Sequence, residues 1–434
     1  MSERAQPAGD ASLDGILREV VEALAPIDRT PCSPGEREAA EWLAARLRAV
    51  PGVEVALEDG DSWGTFPPTA TGLGLLAMAA STLVLRGRRA AGGVIASAAF
   101  AGIVDEAQNG PRIVRRLARR RRRTVNVVAR IAAPDAVAGD AAAEHAATRR
   151  AATGPDDLAP STLVVLAHHD APQSGLLFDQ TLQRLLHERA PQVLERFKTP
   201  LPQWWMPLGA PLSTLAAALT GRRGFARVGL AVGLLGTAAV ADIWRNETVQ
   251  GANDNLSGVA ALVGLAHLLR QEPVPGLRVL LVSCGAEETL QDGIRAFVAR
   301  HRGELEPGRT AFVNFETVGS PHLVMLEAEG PVWMESYAGP WMRDLLVTRA
   351  ERLGVALQRG FRARASTDSV IPSRAGYPIA TLASITDWRS PANYHLPSDV
   401  PANLDYETVA DAARLVLDVA RALPGALRDA RREP

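Results

Sequence analysis

Five side chains in this 434-residue chain have the types and spacing of metal ligands: His168, Asp254, Glu288, Glu316 and His395. Each lies in a short polar motif beside an apolar run. The motifs are Ala167-His168-His169-Asp170, Gly251-Ala252-Asn253-Asp254-Asn255, Ala286-Glu287-Glu288, Asn314-Phe315-Glu316 and Asn393-Tyr394-His395. Imidazole and carboxylate donors in this mixture suit zinc, and three ligands per ion with one shared carboxylate suit a pair of zincs. Taken singly, each motif has an ordinary structural explanation. A His-x-Asp arises by chance, and paired glutamates usually form a solvated helix face. Jointly they say more, because four follow strand-like runs at Thr162–Ala167, Val279–Ser283, Ala311–Phe315 and Ile379–Ile385. The ends of such strands are where α/β enzymes build their sites. Asp254 instead opens the apolar helix that begins Ser257-Gly258-Val259.

In type and order, these motifs resemble peptidase family M28, the co-catalytic zinc aminopeptidases and their carboxypeptidase relatives. Gly251-Ala252-Asn253-Asp254-Asn255-Leu256-Ser257-Gly258 matches that family's Gly-Ala-x-Asp-Asn-x-Ser-Gly, and Tyr394-His395-Leu396-Pro397-Ser398-Asp399 resembles its Tyr-His stretch. The resemblance covers roughly residues 10–58, 124–170 and 246–425. It implies two Zn2+ per chain, with Asp254 bridging, His168 and Glu316 completing one site, and Glu288 and His395 the other. It further implies that Asp170 orients His168, that Glu287 is the general base and that Tyr394 donates to the oxyanion. His169 is expected to be a spectator facing away. The chain departs from the family in carrying Glu316 where many members have Asp. Ser366-Thr367-Asp368-Ser369 resembles a Ser-Asp-His stretch without its histidine.

The elements that must position these residues can be read from periodicity. Leu13, Ile16, Leu17, Val20, Val21 and Leu24 recur at helical spacing, and Ser33-Pro34-Gly35-Glu36 reads as a capping box opening a second helix. Val53, Val55 and Leu57 alternate as in a strand, with Thr124–Ile131 as the partner. Tyr406–Leu423 reads as a closing helix, and Ala132–Pro160, rich in Ala, Asp and Gly, as a surface loop. Strands alternating with helices indicate an α/β fold, a mixed sheet sandwiched by helices as in zinc exopeptidases.

Two insertions interrupt that scheme. Ser62–Leu85 and Ala90–Val104 form one apolar pair with a tip at Arg86, Arg88 and Arg89. Thr199–Gly221 and Val228–Ala241 form another with a tip at Arg222 and Arg223. A spanning helix needs about 20 apolar residues, so the first arm of each pair is long enough and the second arms read as short. Gly229-xxx-Gly233 offers a close-packing face, and Trp63, Trp204, Trp205 and Trp244 mark the arm ends. These features read as hydrophobic helical hairpins in a bilayer, against the alternative of a soluble lid or dimer contact. The organisation is therefore 1–58 catalytic, 59–104 first hairpin, 105–198 catalytic, 199–244 second hairpin and 245–434 catalytic.

Arg112, Arg115, Arg116, Arg119–Arg123, Arg196, Lys198 and Arg245 outnumber the tip arginines. The excess places the catalytic part of a multi-pass protein on the cytoplasmic side. A polar N-terminus, Met1-Ser2-Glu3-Arg4-Ala5-Gln6-Pro7, agrees with that expectation. Lipid headgroups suit the Arg run better than nucleic acid, because no aromatics are interleaved and the net charge is only −1. Cys32 and Cys284 form no CxxC pair, and Cys284 reads as a small core residue. The leading function is a membrane-associated dizinc exopeptidase acting on peptides, most readily an aminopeptidase. Glutaminyl-cyclase-like acyl transfer on one zinc and a catalytically inactive membrane scaffold are the alternatives.

Overall fold

The computed structural model describes residues 12–133, 160–194, 196 and 204–432. Most of the loop expected at Ala132–Pro160, the segment Met1–Pro7, Lys198 and the start of the second insertion lie outside the described residues.

Helix α1 (Leu13–Leu24) buries Ile16, Leu17, Val20, Val21 and Leu24 on one face, as its spacing requires. Helix α2 (Pro34–Arg48) starts on Ser33, whose Oγ accepts the Glu36 N–H at 3.1 Å. The capping box is only half formed. Glu36 turns inward, accepting from Cys32 N–H at 2.6 Å and Thr124 Oγ1 at 2.5 Å. Strand β1 (Val53–Ser62) then pairs antiparallel with β2 (Arg122–Ile131). Between them lie α3 (Pro67–Leu85), α4 (Arg89–Ala107) and the short α5 (Ile113–Ala118). After β3 (Ser161–His168) come α6 (Thr181–Arg189), α7 (Pro191–Leu194), α8 (Trp205–Thr220) and α9 (Arg223–Arg245). Helix α10 (Ser257–Gln271), β4 (Leu277–Cys284), α11 (Asp292–His301), β5 (Thr310–Glu316), β6 (His322–Glu329) and β7 (Glu335–Ser336) follow. The chain closes with α12 (Pro340–Leu353), β8 (Leu357–Ala363), α13 (Val370–Arg374), β9 (Ile379–Ile385) and α14 (Tyr406–Arg432). Helix α14 runs on through Pro424, beyond the expected end at Leu423, carrying Leu427 into the core.

The nine strands of the described residues form one mixed sheet in the order β1-β2-β4-β3-β5-β9-β6-β7, with β8 added alongside β6. Its centre, β4-β3-β5-β9, is parallel. Strand β3 is buried along its whole length, as a central parallel strand covered on both faces must be. One face packs against α1, α2, α10, α12 and α14 through residues such as Leu17, Leu43, Leu262, Leu346 and Val416. The other packs against α11 through Ile294 and Phe297. This is the expected α/β sandwich.

The insertions fold as two helical hairpins, α3–α4 and α8–α9, packed together as a four-helix bundle. The expected arm lengths need correction. Helices α3, α4 and α9 run 19, 19 and 23 residues and are long and apolar enough to cross a membrane, by length and composition. The short arm is α8, with 16 residues and Pro211 inside. The second arms lengthen because helix geometry does not stop at charge: α4 continues through Asp105 and Glu106, and α9 through Arg227 and Asp242 to Arg245. Small residues bring the helices together in the middle of the bundle, where Ala77, Ala99 and Ala210 meet, while Leu73, Ile103, Leu208 and Val240 fill its base. A Cβ on Gly229 would lie 2.8 Å from both Ser81 Oγ and Thr214 Oγ1, and one on Gly233 would lie 2.8 Å from Met78 Cγ. Leu75, Val94, Leu219, Leu234 and Leu235 face outward, each more than half exposed.

Three further details depart from expectation. Trp205 and Trp244 are exposed, but Trp204 is buried against Phe66 with ring centroids 5.4 Å apart, and Trp63 lies under Arg116. Arg112 and Arg115 are not surface charges: they are buried in ion pairs with Asp292 and Glu106. Arg121 and Arg123 pair with Asp61 across the β1–β2 edge, so part of the Arg run serves the fold.

Candidate metal centre

All five potential ligands converge at the carboxyl ends of the parallel strands, where right-handed crossovers bring the loops to one edge. His168 and Glu316 are the last residues of β3 and β5. Glu287 and Glu288 follow β4, Tyr394 and His395 lie in the loop after β9, and Asp254 sits in the irregular turn before α10. The Asp254–Asn255 peptide is cis.

Asp254 lies at the centre. Its Oδ1 is 3.2 Å from His168 Nε2, and its Oδ2 is 3.0 Å from His395 Nε2. Glu316 Oε1 stands 3.7 Å from the first imidazole and Glu288 Oε1 3.5 Å from the second. Two triads result, His168–Asp254–Glu316 and Asp254–Glu288–His395, each with donor atoms within 4.8 Å of one another. His168, Glu287 and Glu288 also satisfy that spacing, but the Glu287 carboxylate already accepts Gln291 Nε2 at 2.5 Å.

Although close to one another, His168 Nε2, His395 Nε2 and Asp254 Oδ2 are buried without a well-aligned hydrogen bond among the described residues. Such atoms are costly to leave unpaired. Two nitrogens and three carboxylates converging on shared points fit a pair of zinc ions with a position left open on each.

The electrostatics match. Burial opposes protonation of His168, yet Asp170, Asp254 and Glu316 hold its basicity well above the ordinary imidazole range. Burial pushes Asp254 upward, but the two imidazoles outweigh it and keep the carboxyl low. Burial pushes Glu287 and Glu288 well above the usual range; neighbouring carboxylates add to this and His168 opposes it. Positive charge is what this pocket of carboxylates lacks.

The loops are held by side chains from far along the chain. His168 Nδ1 lies 3.2 Å from the Asp170 carbonyl and 3.4 Å from its carboxylate. That carboxylate also accepts the backbone N–H groups of Glu287 and Glu288, each at 3.0 Å. Asp399 does the same for Asn253 and Asp254, at 2.7 and 3.1 Å. Asn255 donates to Phe315 O at 2.8 Å and accepts from Thr317 N–H at 2.9 Å, joining the Asp254 turn to the Glu316 loop. Buried Arg29 links the His169 and Gln250 carbonyls, at 2.8 and 2.6 Å. In the loops around the site, Ala286, Thr317, Asn393 and His395 have positive φ of 50, 52, 57 and 55°.

His169 is buried on the other side of β3, with Nδ1 3.0 Å from Ser283 Oγ, and burial lowers its pKa to about 4. Asp368 is buried beside the site with neither carboxylate oxygen hydrogen-bonded among the described residues, and burial first of all raises its pKa to about 7. Cys284 is a buried core residue.

A cavity of about 370 Å³ opens onto Asp254, Glu287, Glu288, Glu316 and Tyr394. Phe178, Val324, Leu326, Phe361 and Ile385 supply its apolar wall, and Met206 of α8 reaches it from the hairpin bundle. Residues absent from the sequence reading include Arg29, Phe178 and Asp399 in a positioning role. Asp399 had a usable signal, since it ends the Tyr394–Asp399 motif. Arg29 and Phe178 had none, being fixed by contacts across long sequence separations.

Residues 236–420 match the model of peptidase family M28. The fold is shared with a leucine aminopeptidase precursor from Bacteroides thetaiotaomicron, at TM-score 0.52 and 14% identity over 96% of this chain and 99% of that one. It is shared equally with a glutaminyl cyclase of the same organism, at 0.51 and 13% over 96% and 99%. A Zn-dependent exopeptidase from Parabacteroides distasonis aligns at 0.50 and 14%, over 96% and 99%. No curated protein sequence matches the chain.

Proposed function

From the M28 resemblance and the zinc-exopeptidase fold, we propose that this chain is a membrane-associated, two-zinc hydrolase of terminal peptide bonds, acting as an aminopeptidase. The observation that carries the reading is Asp254, whose two oxygens each face a different imidazole while a separate glutamate flanks each pair. His168, Asp254 and Glu316 would hold one ion, and Asp254, Glu288 and His395 the other. Bound there, two zinc ions supply Lewis acidity toward a carbonyl oxygen and lower the pKa of water.

The chain's own groups supply the rest. Glu287 lines the cavity without belonging to either triad around Asp254, and Gln291 and the Asp170 clamp fix its carboxylate and backbone. It takes the proton of the attacking water and passes it to the leaving amine. Tyr394 lines the same cavity, its ring 4.0 Å from that of His395, and donates its hydroxyl to the developing oxyanion. Asp170 keeps the Glu287–Glu288 backbone and the His168 ring in register. The apolar wall excludes water and receives one substrate side chain.

Membrane association rests on the bundle. Nineteen residues of α3 span about 28 Å, close to the hydrocarbon thickness of a bilayer. Small residues let the helices approach closely, and large apolar residues such as Leu75, Val94, Leu219, Leu234 and Leu235 face outward, as suits a bilayer. With Arg112 and Arg115 internal, Arg116, Arg119–Arg123 and Arg245 outnumber Arg86, Arg88, Arg89, Arg222, Arg223 and Arg227 near the tips by one, which leans toward a cytoplasmic catalytic side.

Metal analysis of purified protein beside an assay on free-amine and N-blocked peptides tests the proposal. Two zincs and cleavage of only the free-amine set are expected. Cleavage of the blocked set from its carboxyl end would make it a carboxypeptidase. The similarity to a cyclase fold makes glutaminyl cyclisation the second reading; release of pyroglutamyl peptides with one metal bound would favour it.

A further inference from the structure

Each hairpin base reaches a different wall of the metal centre, and both reach the same triad. Past the end of α4, Arg115 donates Nε to Glu106 at 2.9 Å, both side chains fully buried, and its guanidinium also donates to the Thr289 carbonyl. Thr289 directly follows Glu288, and its hydroxyl donates to Asp292 at 2.9 Å, the partner of Arg112. In the second hairpin, Asp242 of α9 accepts the Leu176 N–H at 2.7 Å. Gly175 abuts the same turn, where a Cβ would come within 2.7 Å of Ile243 Cγ1. The segment anchored there carries Phe178, whose ring centroid is 4.1 Å from that of His395 and 5.9 Å from that of Tyr394. Gln180 fastens it to the His395 loop, donating to Pro391 O and accepting from Trp388 Nε1, each at 2.9 Å.

The other pair of ligands is set differently: the chain leaving α9 pairs with Pro172–Ser174, where Gln173 Nε2 donates to Asn246 O at 3.1 Å, but His168 itself is fixed by β3. His168 and Glu316 end central strands, in register with Cys284 and Ala383. The loop after Glu316 is held by Asn253 and Asn255, with Gly319 N–H donating to Asn253 Oδ1 at 2.9 Å. The asymmetry lies in what each ligand leans on: strands for one pair, hairpin bases for the other.

We propose that the hairpin bases are positioning elements for one half of the site, holding Glu288 and His395 in place, while the strand ends with the Asp170, Asn253 and Asn255 clamps hold His168 and Glu316. This rests on the two-metal reading. Loosening a hairpin base then weakens one zinc and spares the other. Phe178 is a positioning residue acting through His395, and Asp242 acts through Phe178.

The test is zinc titration of the full chain in lipid nanodiscs, read as binding isotherms with a competing chelator, so that turnover is not needed. The wild type should take up two equivalents. In Phe178→Ala and Asp242→Ala the first should bind as in wild type and the second about tenfold or more weakly, the range seen when outer-shell partners of ligands are removed. Phe178→Tyr, which keeps the ring, should restore it. Leu346→Ala, fully buried in α12 away from both hairpins, controls for general loosening and should leave both equivalents unchanged. Equal weakening of both equivalents, or wild-type binding in both alanine variants, would overturn the proposal with the two-metal reading intact. A wild-type chain that binds fewer than two zincs would overturn both.

Discussion

Glu287 and Glu288 are neighbours with opposite expected roles, and the difference is geometric. Glu288 reaches His395 at 3.5 Å, whereas Glu287 turns to Gln291 and the cavity. Glu287→Gln should therefore keep about two zincs per chain and lose roughly a hundred- to ten-thousand-fold in kcat, as loss of a general base does. Asp254→Ala should empty both sites together, because both triads share it. Metal analysis beside turnover checks the pair, and near-normal activity in Glu287→Gln would remove it from the mechanism. The two histidines make a second contrast. Successive side chains of an extended chain face opposite ways, so His168 enters the site while His169 packs on Ser283. His168→Ala should lower metal occupancy and His169→Ala should leave it unchanged. Equal losses would put the motif in the wrong register.

At the scale of elements, β6 carries a buried carboxylate that anchors the Thr367–Asp368 loop beside the site. Glu329 Oε2 accepts from Tyr337 OH at 2.6 Å and from Thr367 Oγ1 at 2.8 Å. Burial, only partly opposed by these donors, raises its pKa from 4.5 to about 8. The folded state therefore keeps a proton that the unfolded chain releases. The resulting stability is complete below pH 4.5 and is lost as pH rises through about 8. Glu329→Gln should remove this dependence. Its stability relative to wild type should improve with rising pH across that window, with a slope equivalent to one proton, measured by denaturant titration at several pH values. A pH-independent difference between the two proteins would mean that Glu329 is ionised in the fold. The half-formed capping box belongs to the same scale. Ser33 caps α2 as its position requires, but Glu36 is drawn inward to Thr124 because the loop before Glu287 needs a polar partner there.

For the whole molecule, the two hairpins share one bundle, so under the proposed membrane association neither would meet the bilayer independently of the other. The intact protein should pellet with membranes and resist extraction by high salt or carbonate. Removing the second hairpin alone should not release it, since α3 and α4 each remain long enough to span. Fractionation of both proteins checks this. An intact chain that is soluble and monodisperse without detergent would sink the membrane reading and leave the metal centre standing. The tips contribute to the joint architecture, since Arg89 of the first hairpin caps α8 of the second through the Ala218 and Leu219 carbonyls, both at 2.9 Å.

The five potential ligands, the strand ends that carry them and the α/β class were legible in sequence because each depends on local pattern. Apolar runs set the strands, and the polar motifs beside them told as a set, since each alone has an ordinary explanation. The insertions were legible as hydrophobic arms, but their lengths were not, because charge-free runs mark composition while helices end where backbone hydrogen bonds and packing end. Only the tertiary structure decided that one Asp254 oxygen faces each imidazole, since those contacts bring together residues 86 and 141 positions apart in the chain. It alone decided that Asp170 holds the Glu287–Glu288 backbone, that Arg112 and Arg115 are internal and that Asp242 of α9 holds the Leu176 N–H. Each of these is a pairing between polar groups distant in sequence, chosen by burial: a group removed from water must find whichever partner the folded chain brings within reach.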